Sequence, residues 1–199
     1  GIISTGIAAA NVSFKRRFEL FEVSNGYHVY VQYGDVFDKS EVNHPEQRRN
    51  IVIPVNRCFD TKIDDDLISH NTLHGKMMQR LYDSGLFNDE SLNTAIQDNL
   101  KLHQARGTNI APTKKRSGNL VRYPVGTVSD ISINDTETVF FLGLSSFDEQ
   151  LHAHTSNEEY AQAIIKLIEF CNKRSQKYPV VMPIIGAGAS DTKKSESTI

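Results

Sequence analysis

Three apolar runs of this chain each end in polar or glycine residues. The runs occupy residues 27–33, 51–55 and 180–185. The first leads into Asp35, the second into Asn56, and the third into the glycine-rich stretch 186–190. An apolar run without polar alternation is typical of a strand that is covered on both faces. Because ligands of open α/β sheets bind beyond the carboxyl ends of the strands, the three ends together predict one binding site.

The same pattern predicts alternating strands and helices. Strands are predicted at residues 18–23, 27–33, 51–55, 138–144 and 178–185, and helices at residues 67–82, 91–103 and 157–173. Residues 123–128 fit either a short strand or a bend. Asn25 and Gly26 predict a hairpin turn between the first two strands. From residue 50 onward, the alternation of strand and helix indicates βαβ units and a largely parallel sheet.

The helix predicted at residues 157–173 has the clearest end signals in the chain. Ser156 or Asn157 is expected to cap it, with acidic residues in its first turn and basic residues in its last turn. Its predicted buried face consists of Ala161, Ile164, Ile165, Leu167, Ile168 and Cys171.

Composition favours a single globular domain. The chain has 199 residues, of which 39% are apolar and 23% charged, and its formal net charge is -2. No long basic stretch is present, so nucleic acid is not expected as a partner. The two cysteines, Cys58 and Cys171, are too few and too far apart for a disulfide framework, which favours a reduced intracellular setting.

The first residues permit two interpretations. Residues 1–10 are small and apolar, and a basic trio follows at residues 15–17. They fit an ordinary N-terminal arm, or the end of a transmembrane helix whose basic flank marks the cytoplasmic side. We therefore separate a stub of residues 1–17 from a ligand-binding domain of residues 18–199. The end of that domain soon after its last strand suggests truncation at the C-terminus.

The strand ends carry the candidate chemistry. Glycines after a buried strand let backbone N–H groups approach a phosphate, or they form a plain turn. Asp35 suits an adenine amino group or a ribose hydroxyl, or it forms a turn with Gly34. Asn56 suits a ribose hydroxyl, or it caps its own loop. Neither GxxxxGK[ST] nor GxGxxG occurs, which disfavours P-loop ATPases and Rossmann dinucleotide sites.

An acidic cluster follows Asn56. Asp60, Asp64, Asp65 and Asp66 suit a divalent cation or a cationic group on a ligand. Alternatively, they form a solvated face, or Asp65 and Asp66 cap the helix that is predicted from residue 67.

Histidines and one glycine are weaker signals. His70 and His74 have the spacing of a zinc helix, but no HExxH motif occurs, so unrelated histidines are expected. Gly75 lies inside a predicted helix, where glycine costs about 1 kcal/mol relative to alanine, and this predicts a close approach by another group. His152 and His154 have the spacing of a metal pair on a strand, but a metal site is not expected there. No GxSxG elbow is present.

Several motifs in combination resemble those of macro domains. GDVF at residues 34–37 and NIVIPVN at residues 50–56 resemble the acid-bearing and asparagine-bearing strands of that fold, and IIGAGAS at residues 184–190 resembles its second glycine loop. PVNRCFDTKIDDDLIS, TLHG and PIIGAGAS together resemble the divergent macro domain of Thoeris antiphage effectors of the ThsA type. The resemblance covers most of the chain from residue 18 onward.

This resemblance implies an α/β fold, a three-layer α/β/α sandwich with a mixed, largely parallel central sheet of about six strands. It also implies a non-catalytic sensor of an ADP-ribose-derived nucleotide, such as histidine-ADP-ribose, that a TIR-domain enzyme makes from NAD. No cofactor or metal is implied. The effector is expected at the cytoplasmic face of the cell membrane, held there by an N-terminal segment. Formation of a homo-oligomer is left as an alternative to a monomer.

The resemblance also implies roles for single residues. In macro domains, an acid like Asp35 holds adenine, an asparagine like Asn56 faces the distal ribose, and the glycine loop holds the diphosphate. Hydrolases of the family have a run of glycines after the asparagine, which residues 57–61 replace here. A binder is therefore expected, with an ADP-ribosyl hydrolase or nucleotide-processing enzyme as the alternative. The candidate ligand-binding residues are Asp35, Val36, Asn56, Phe59, Asp60, Thr61, Asp64, Asp65, His74, Gly75, Ser145, Ser146, Phe147, Gly186, Ala187, Gly188, Ala189 and Ser190.

Overall fold

The computed structural model describes residues 17–23, 26–41 and 48–185, and the chain divides into two compact units between Pro45 and Glu46. The described part of the first unit holds strands β1 (Arg17–Val23) and β2 (Tyr27–Gln32) and a 3-10 turn at Lys39–Glu41. The two strands pair antiparallel, and Gly26 has a φ of 76°, a value that glycine adopts without strain. This confirms the predicted N-terminal hairpin.

The second unit holds the sheet and the helices. Its strands are β3 (Arg49–Asn56), β4 (Thr108–Asn109), β5 (Val121–Arg122), β6 (Val128–Asn134), β7 (Glu137–Phe147), β8 (Ala153–His154) and β9 (Val180–Val181). Its helices are α1 (Leu73–Asp83), α2 (Asp89–Leu102) and α3 (Asn157–Arg174), with a 3-10 turn at Pro112–Lys114.

The central sheet is mixed, as the sequence predicts. Its strands follow the order β6-β7-β3-β9, and β8 also pairs with β7, which makes five strands within the described residues. The central strand β3 runs parallel to both β7 and β9. Both β6 and β8 run antiparallel to β7. The two parallel pairs therefore share β3, and β4 and β5 form a separate two-stranded ribbon.

A proline lies inside the central strand without breaking its ladder. Asn50 donates its N–H toward the β9 side, to Pro179 O at 2.8 Å. Because N–H groups alternate along a strand, Pro54 faces the same side as Asn50. There, β3 pairs with β9 only at Asn50 and Ile51. The missing N–H of Pro54 therefore falls beyond the paired stretch, which is where a strand tolerates proline.

Helices pack on both faces of this sheet. On one face, Ala163 and Leu167 of α3 join a core cluster with Val52, Phe140 and Leu142. The residues that alternate with these on β3 and β7 are also fully buried, and they point to the other face; they are Ile51, Ile53, Val139 and Phe141. On the described chain, α1 contacts β3 and α2 contacts β6. This arrangement agrees with the expected layering of an α/β macro-like fold.

The predicted buried face of α3 is wrong by part of a turn. Ile165 and Ile168 are 59% and 60% exposed. The stripe that packs on the sheet is centred on Ala163 and Leu167, with partly buried residues such as Ile164 beside it. Apolar residues occupy both sides of this helix, so its sequence pattern alone does not choose between them.

The helix predicted from residue 67 begins later. The α1 helix starts at Leu73, and the Thr72 hydroxyl accepts from Gly75 N as its N-cap. The prediction that Asp65 and Asp66 cap this helix is therefore wrong. Leu67 and neighbouring apolar side chains are buried from a loop instead, so apolar content before Leu73 extended the predicted helix too far.

Strand β6 and the two-residue strands β4, β5 and β8 were missing from the predicted strands. Strand β6 pairs with β7 through a tight turn after Asn134. Its signal in the sequence is the alternation of buried Ile131 and Ile133 with polar residues, and the Asn-Asp pair that follows.

Within the described part of the chain, no helix is long and apolar enough to cross a membrane. Of the stub predicted at residues 1–17, all but Arg17 lie outside the described residues.

Candidate functional site

Asn56 stands at the carboxyl end of the central strand. Strand β3 ends there, beside Ser145 of β7. The Asn56 Oδ1 atom accepts from Cys58 N at 3.0 Å and closes a turn. Its Nδ2 atom is buried and makes no hydrogen bond of good geometry within the described residues. Asn56 therefore caps its own loop, which is one of the two roles its sequence allowed. Its Nδ2 donor makes no well-formed hydrogen bond, but the Asn56 amide interacts with the Asp60 carboxyl and lowers its pKa.

Arg57 fixes this strand end to its neighbours. Its backbone N donates to Ser145 O at 2.8 Å, and its carbonyl accepts from Tyr123 N at 2.9 Å. Its guanidinium donates to Tyr123 O at 2.9 Å and to Glu159 Oε1 in the first turn of α3 at 2.7 Å. The stretch 57–61, which is expected to stand in place of the glycine run of hydrolytic macro domains, is thus fixed at Arg57 by contacts to Ser145, Tyr123 and Glu159.

Phe59 follows in a left-handed conformation with a φ of 53°. Its ring lies against Gly143 of β7, where a Cβ would come within 3.1 Å of Phe59 Cζ. It also meets the Tyr123 ring edge to face, with the ring centroids 5.6 Å apart. Phe59 is 1% exposed, so in this conformation the side chain packs in the core, and its contact with a ligand stays a prediction.

Asp60 forms a buried ion pair with Lys115, hereafter the enclosed ion pair. The Lys115 Nζ atom lies 2.9 Å from Asp60 Oδ2 and 3.2 Å from Oδ1. It also donates to the carbonyls of Ser117 at 2.6 Å and Asn119 at 3.0 Å. The side chains of Lys115 and Asp60 are 0% and 2% exposed. The charge that was predicted to meet a cationic ligand group thus has a partner within the chain.

The loop at residues 115–119 encloses this carboxylate. Asn119 N donates to Asp60 Oδ1 at 2.6 Å, and Asn119 Nδ2 donates to the carbonyls of Cys58 and Phe59, both at 3.1 Å. Gly118 has a φ of 80°, and a Cβ there would lie 2.3 Å from Asp60 Oδ1. Only glycine fits this position, because both the conformation and the contact exclude a side chain.

Burial and pairing act on Asp60 in opposite directions. Burial raises the pKa of the Asp60 carboxyl, while Lys115, Asn119 N and the Asn56 amide lower it, and the net direction is upward. Since Lys115 has no further donor, the ion pair is a structural unit that fixes the loop after Asn56. We therefore regard Asp60 mainly as a positioning group for Asn56.

His74 and Thr61 extend the buried polar group. His74 Nε2 lies 3.1 Å from the Asp60 carbonyl, so the nitrogen must carry the proton and donate. Burial lowers the pKa of His74 to about 4, which keeps the imidazole neutral. Thr61 is 4% exposed and donates through its hydroxyl to Asp89 Oδ1 at 2.5 Å. Tyr82 OH donates to Thr61 O at 2.6 Å.

The close approach predicted at Gly75 is made by the chain itself. A Cβ on Gly75 would lie 2.2 Å from Ser69 O. The loop before α1 therefore packs directly on the first turn of that helix.

The other aspartates stabilise that loop. Asp64 accepts from Leu67 N at 2.8 Å, and hydrogen bonds of this kind lower its pKa. Asp65 accepts from His70 N at 3.0 Å and from its ring at 2.9 Å, and Asp66 pairs with Arg116. No group of three or more metal-binding side chains occurs among the described residues.

The end of β7 completes the surroundings of Asn56. Ser145 accepts from Arg57 N as above, and Ser146 pairs with His154 of β8. Phe147 packs beside Leu67 and other apolar residues of the loop before α1. Its carbonyl accepts from the Arg122 guanidinium at 2.9 Å.

The two histidines that follow share one carboxylate. His152 Nδ1 and His154 Nε2 lie 3.4 and 3.0 Å from Asp148 Oδ2. The His154 ring and nearby backbone N–H groups lower the pKa of Asp148 to about 2, so this carboxylate stays ionised and orders the turn before β8.

The remaining candidates fall outside the described part of the second unit. Residues 186–190 lie outside the described residues. Asp35 and Val36 belong to the first unit. There Asp35 Oδ1 accepts from Phe37 N at 2.9 Å and Asp35 O accepts from Asp38 N at 3.0 Å, which is the turn that the sequence allowed as an alternative.

The structure thus brings one part of the candidate set together around the end of β3. Asn56, Phe59, Asp60, Thr61 and His74 form a connected buried group there. Sequence reasoning missed two of its members, which are Lys115 and Asn119. Their only sequence signal is a Lys-Arg-Ser-Gly-Asn stretch, which indicates a turn but no partner.

Comparisons with known proteins bear on this geometry. The family model for the macro domain of Thoeris protein ThsA matches residues 29–199, and this range includes every candidate ligand-binding residue. Thoeris protein ThsA of Bacillus amyloliquefaciens (strain Y2) is 28% identical to the chain over 164 residues, which is 82% of this chain and 50% of that relative. The chain therefore spans about half the length of that curated relative.

Proposed function

We infer the function of this chain from the family to which it belongs, the macro domains of Thoeris ThsA proteins. We propose that it is the sensor domain of an antiphage effector and that it binds an ADP-ribose-derived nucleotide, for which histidine-ADP-ribose is the candidate. The signal is proposed to come from a TIR-domain enzyme acting on NAD. The effector is proposed to lie at the cytoplasmic face of the membrane, through a segment outside residues 18–199.

The position of Asn56 carries the proposal. The end of a central parallel strand is where α/β sheets bind ligands. Asn56 stands there with a buried Nδ2 donor that makes no well-formed hydrogen bond and only a weaker interaction with the Asp60 carboxyl. A buried donor that is left without a good partner costs up to about 1–3 kcal/mol. A ribose hydroxyl that accepts this hydrogen bond would recover part of that free energy on binding.

Binding without turnover is the function that these contacts favour. A hydrolase needs a base or a nucleophile that reaches the substrate. The carboxylate nearest to Asn56 is that of Asp60, and it is enclosed by Lys115 and Asn119. The loop that carries it is fixed by Arg57 to Glu159 and Tyr123. This supports a rigid recognition surface in place of a catalytic loop.

Calorimetry tests the proposal with a matched pair of variants. ADP-ribose and histidine-ADP-ribose are titrated into the protein, Asn56→Ala and Asn134→Ala. Asn134 closes the same kind of turn, since its Oδ1 accepts from Thr136 N at 2.8 Å. Asn56→Ala should lose binding by tenfold or more, while Asn134→Ala should bind like the unmodified protein. Absence of heat from either compound, or equal binding by both variants, contradicts the proposal.

Two further measurements separate the alternatives. Ligand at about a hundredfold excess over its Kd should stabilise the protein by about 2.7 kcal/mol, which a melting curve detects. Incubation with an ADP-ribosylated protein should release no ADP-ribose, and multiple turnovers would favour the hydrolase. Asp35→Ala then shows whether the first unit contributes to the affinity.

A further inference from the structure

A polar pocket lies at the end of the central sheet opposite to Asn56. It has a volume of about 190 Å³, and its walls are Arg48, Asn50, Asn99, Asp130, Ser132, Thr138, Arg174 and Gln176. Asn50 pairs with Thr138 at the start of β3, whereas Asn56 pairs with Ser145 at its end. Six residues of strand separate the two levels by about 20 Å. The pocket is therefore distinct from the proposed nucleotide site.

The one carboxylate of this pocket already has partners within the chain. Asp130 Oδ1 accepts from His103 Nε2 at 2.5 Å and from Asn99 Nδ2 at 3.0 Å. Its Oδ2 accepts from Arg174 NH2 at 3.0 Å. These hydrogen bonds outweigh burial and hold the pKa of Asp130 below its usual value. The charges of Asp130 and Arg174 thus offset each other.

Arg48 has no such partner. Its guanidinium donates to Ser132 Oγ at 3.3 Å and to Thr138 Oγ1 at 3.1 Å, and it lies 5.7 Å from the centroid of the Tyr178 ring. These groups are neutral, and within the described ranges 17–23, 26–41 and 48–185 no carboxylate forms an ion pair with it. A half-buried guanidinium with neutral partners forms its strongest bonds with an anion.

The surrounding polar groups suit the oxygens of such an anion. The hydroxyls of Ser132 and Thr138 lie 3.3 Å apart, and each can donate as well as accept. The carboxyl end of α3 opposes an anion through its partial negative charge. Asn50 Nδ2 reduces that effect, because it donates to Ser175 O at 3.0 Å.

We propose that this pocket binds a small anion, a phosphate or carboxylate group, through the Arg48 guanidinium and the hydroxyls of Ser132 and Thr138. Its volume is below the range of about 300–1,000 Å³ of pockets for drug-sized molecules, so a complete dinucleotide does not fit. The occupant is a single anionic group, either free or at the end of a larger molecule.

NMR titration of the whole chain tests the proposal. Inorganic phosphate is added at constant ionic strength, and amide shifts are followed in a 15N-labelled sample. Saturable shifts are expected at residues 130–138 and 174–176, with no comparable shift at Asn56. Acetate in a parallel titration shows whether phosphate or carboxylate is the better occupant, and saturable binding of either anion at these positions supports the site.

Two arginine variants decide the role of Arg48. Arg48→Gln should weaken the binding at least tenfold, and Arg48→Lys should give an intermediate loss, because it keeps the charge without the planar fork. Arg116→Gln is the control, since Arg116 is exposed and pairs with Asp66. If Arg48→Gln does not fold, the lysine variant alone carries the comparison. Absence of saturable shifts with both anions, or equal binding in the arginine variants and the control, overturns the proposal.

Discussion

Replacing Lys115 by methionine should destabilise the protein strongly. The variant keeps the length of the side chain and removes its charge. The Asp60 carboxylate, 2% exposed, would then be a buried charge without its cation. Breaking such a pair costs about 3–5 kcal/mol. The carbonyls of Ser117 and Asn119 also lose their donor, which adds to the cost, so a loss of at least about 3 kcal/mol is expected. Since domains of this kind are stable by about 5–15 kcal/mol, the variant is near the limit of folding.

Urea unfolding at several pH values measures this loss. The pKa of Asp60 is raised in the folded protein, so between the unfolded and folded pKa values the native state binds more protons and acid favours folding. Removal of Lys115 takes away the largest opposing interaction and raises that pKa further. The free-energy loss should therefore be largest at neutral pH and shrink as the pH falls through the folded pKa of Asp60.

A second variant and a control complete the test. Adding Asp60→Asn to Lys115→Met removes the uncompensated charge and should restore much of the lost stability. Lys101→Met is the control, because Lys101 is 74% exposed and pairs with Asp98 at the surface, where ion pairs contribute about 0–1 kcal/mol. If both lysine variants lose less than about 1 kcal/mol, or if the double variant is as unstable as Lys115→Met, the reasoning about the enclosed ion pair fails.

Three further predictions concern the same region. Gly118→Ala should destabilise the protein more than Gly85→Ala in urea unfolding. Both glycines have a positive φ, but only a Cβ at position 118 would contact the enclosed ion pair, whereas position 85 is open. Equal losses of stability in the two variants would contradict this contact. Gly75→Ala should destabilise the protein, because the new Cβ would clash with the loop before α1. In a helix, alanine ordinarily stabilises by about 1 kcal/mol relative to glycine. A higher Tm of this variant would refute the prediction. The His74 ring, with a pKa of about 4, should stay neutral by NMR at pH 6. Since the unfolded ring binds a proton first, stability should fall between about pH 6.5 and 4, and His74→Gln should remove this part of the pH dependence.

The central strand and the first hairpin were predictable because their signals are local. Residues 51–55 have no polar interruption, and their burial on both faces follows from that. Asn25 and Gly26 specify a tight turn without reference to any distant residue. For the same reason the helix at residues 157–173 was predicted to within one residue at its C-terminus.

The enclosed ion pair was not predictable because its two members are 55 residues apart in sequence. Lys114, Lys115 and Arg116 form a basic stretch that ordinarily lies in solvent. Only the fold shows that Lys115 is fully buried while Arg116 is exposed. The sequence therefore indicated that Asp60 needs a cation, but it could not show that the chain supplies one.

The start of α1 illustrates a different limit. Leu67 and Ile68 are buried and precede the apolar positions of α1 closely, so a count of apolar residues includes them in the helix. Side-chain hydrogen bonds of Asp64 and Asp65 to the backbone compete with the helix there and hold a loop. The position at which the helix begins depends on those hydrogen bonds, and the pattern of apolar residues gives no information about them.

The proline of the central strand limits where the ladder with the last strand could continue. At the level of Pro54 there is no hydrogen on the backbone nitrogen, so an adjoining segment would find its carbonyl without a donor. Beyond Val181 the chain leaves the ladder, and the side chains of Met182 and Ile184 are 47% and 61% exposed. Pro183 of the adjoining segment also lacks an N–H. With an imino acid in each segment, the backbones cannot resume a regular ladder before the level of Asn56.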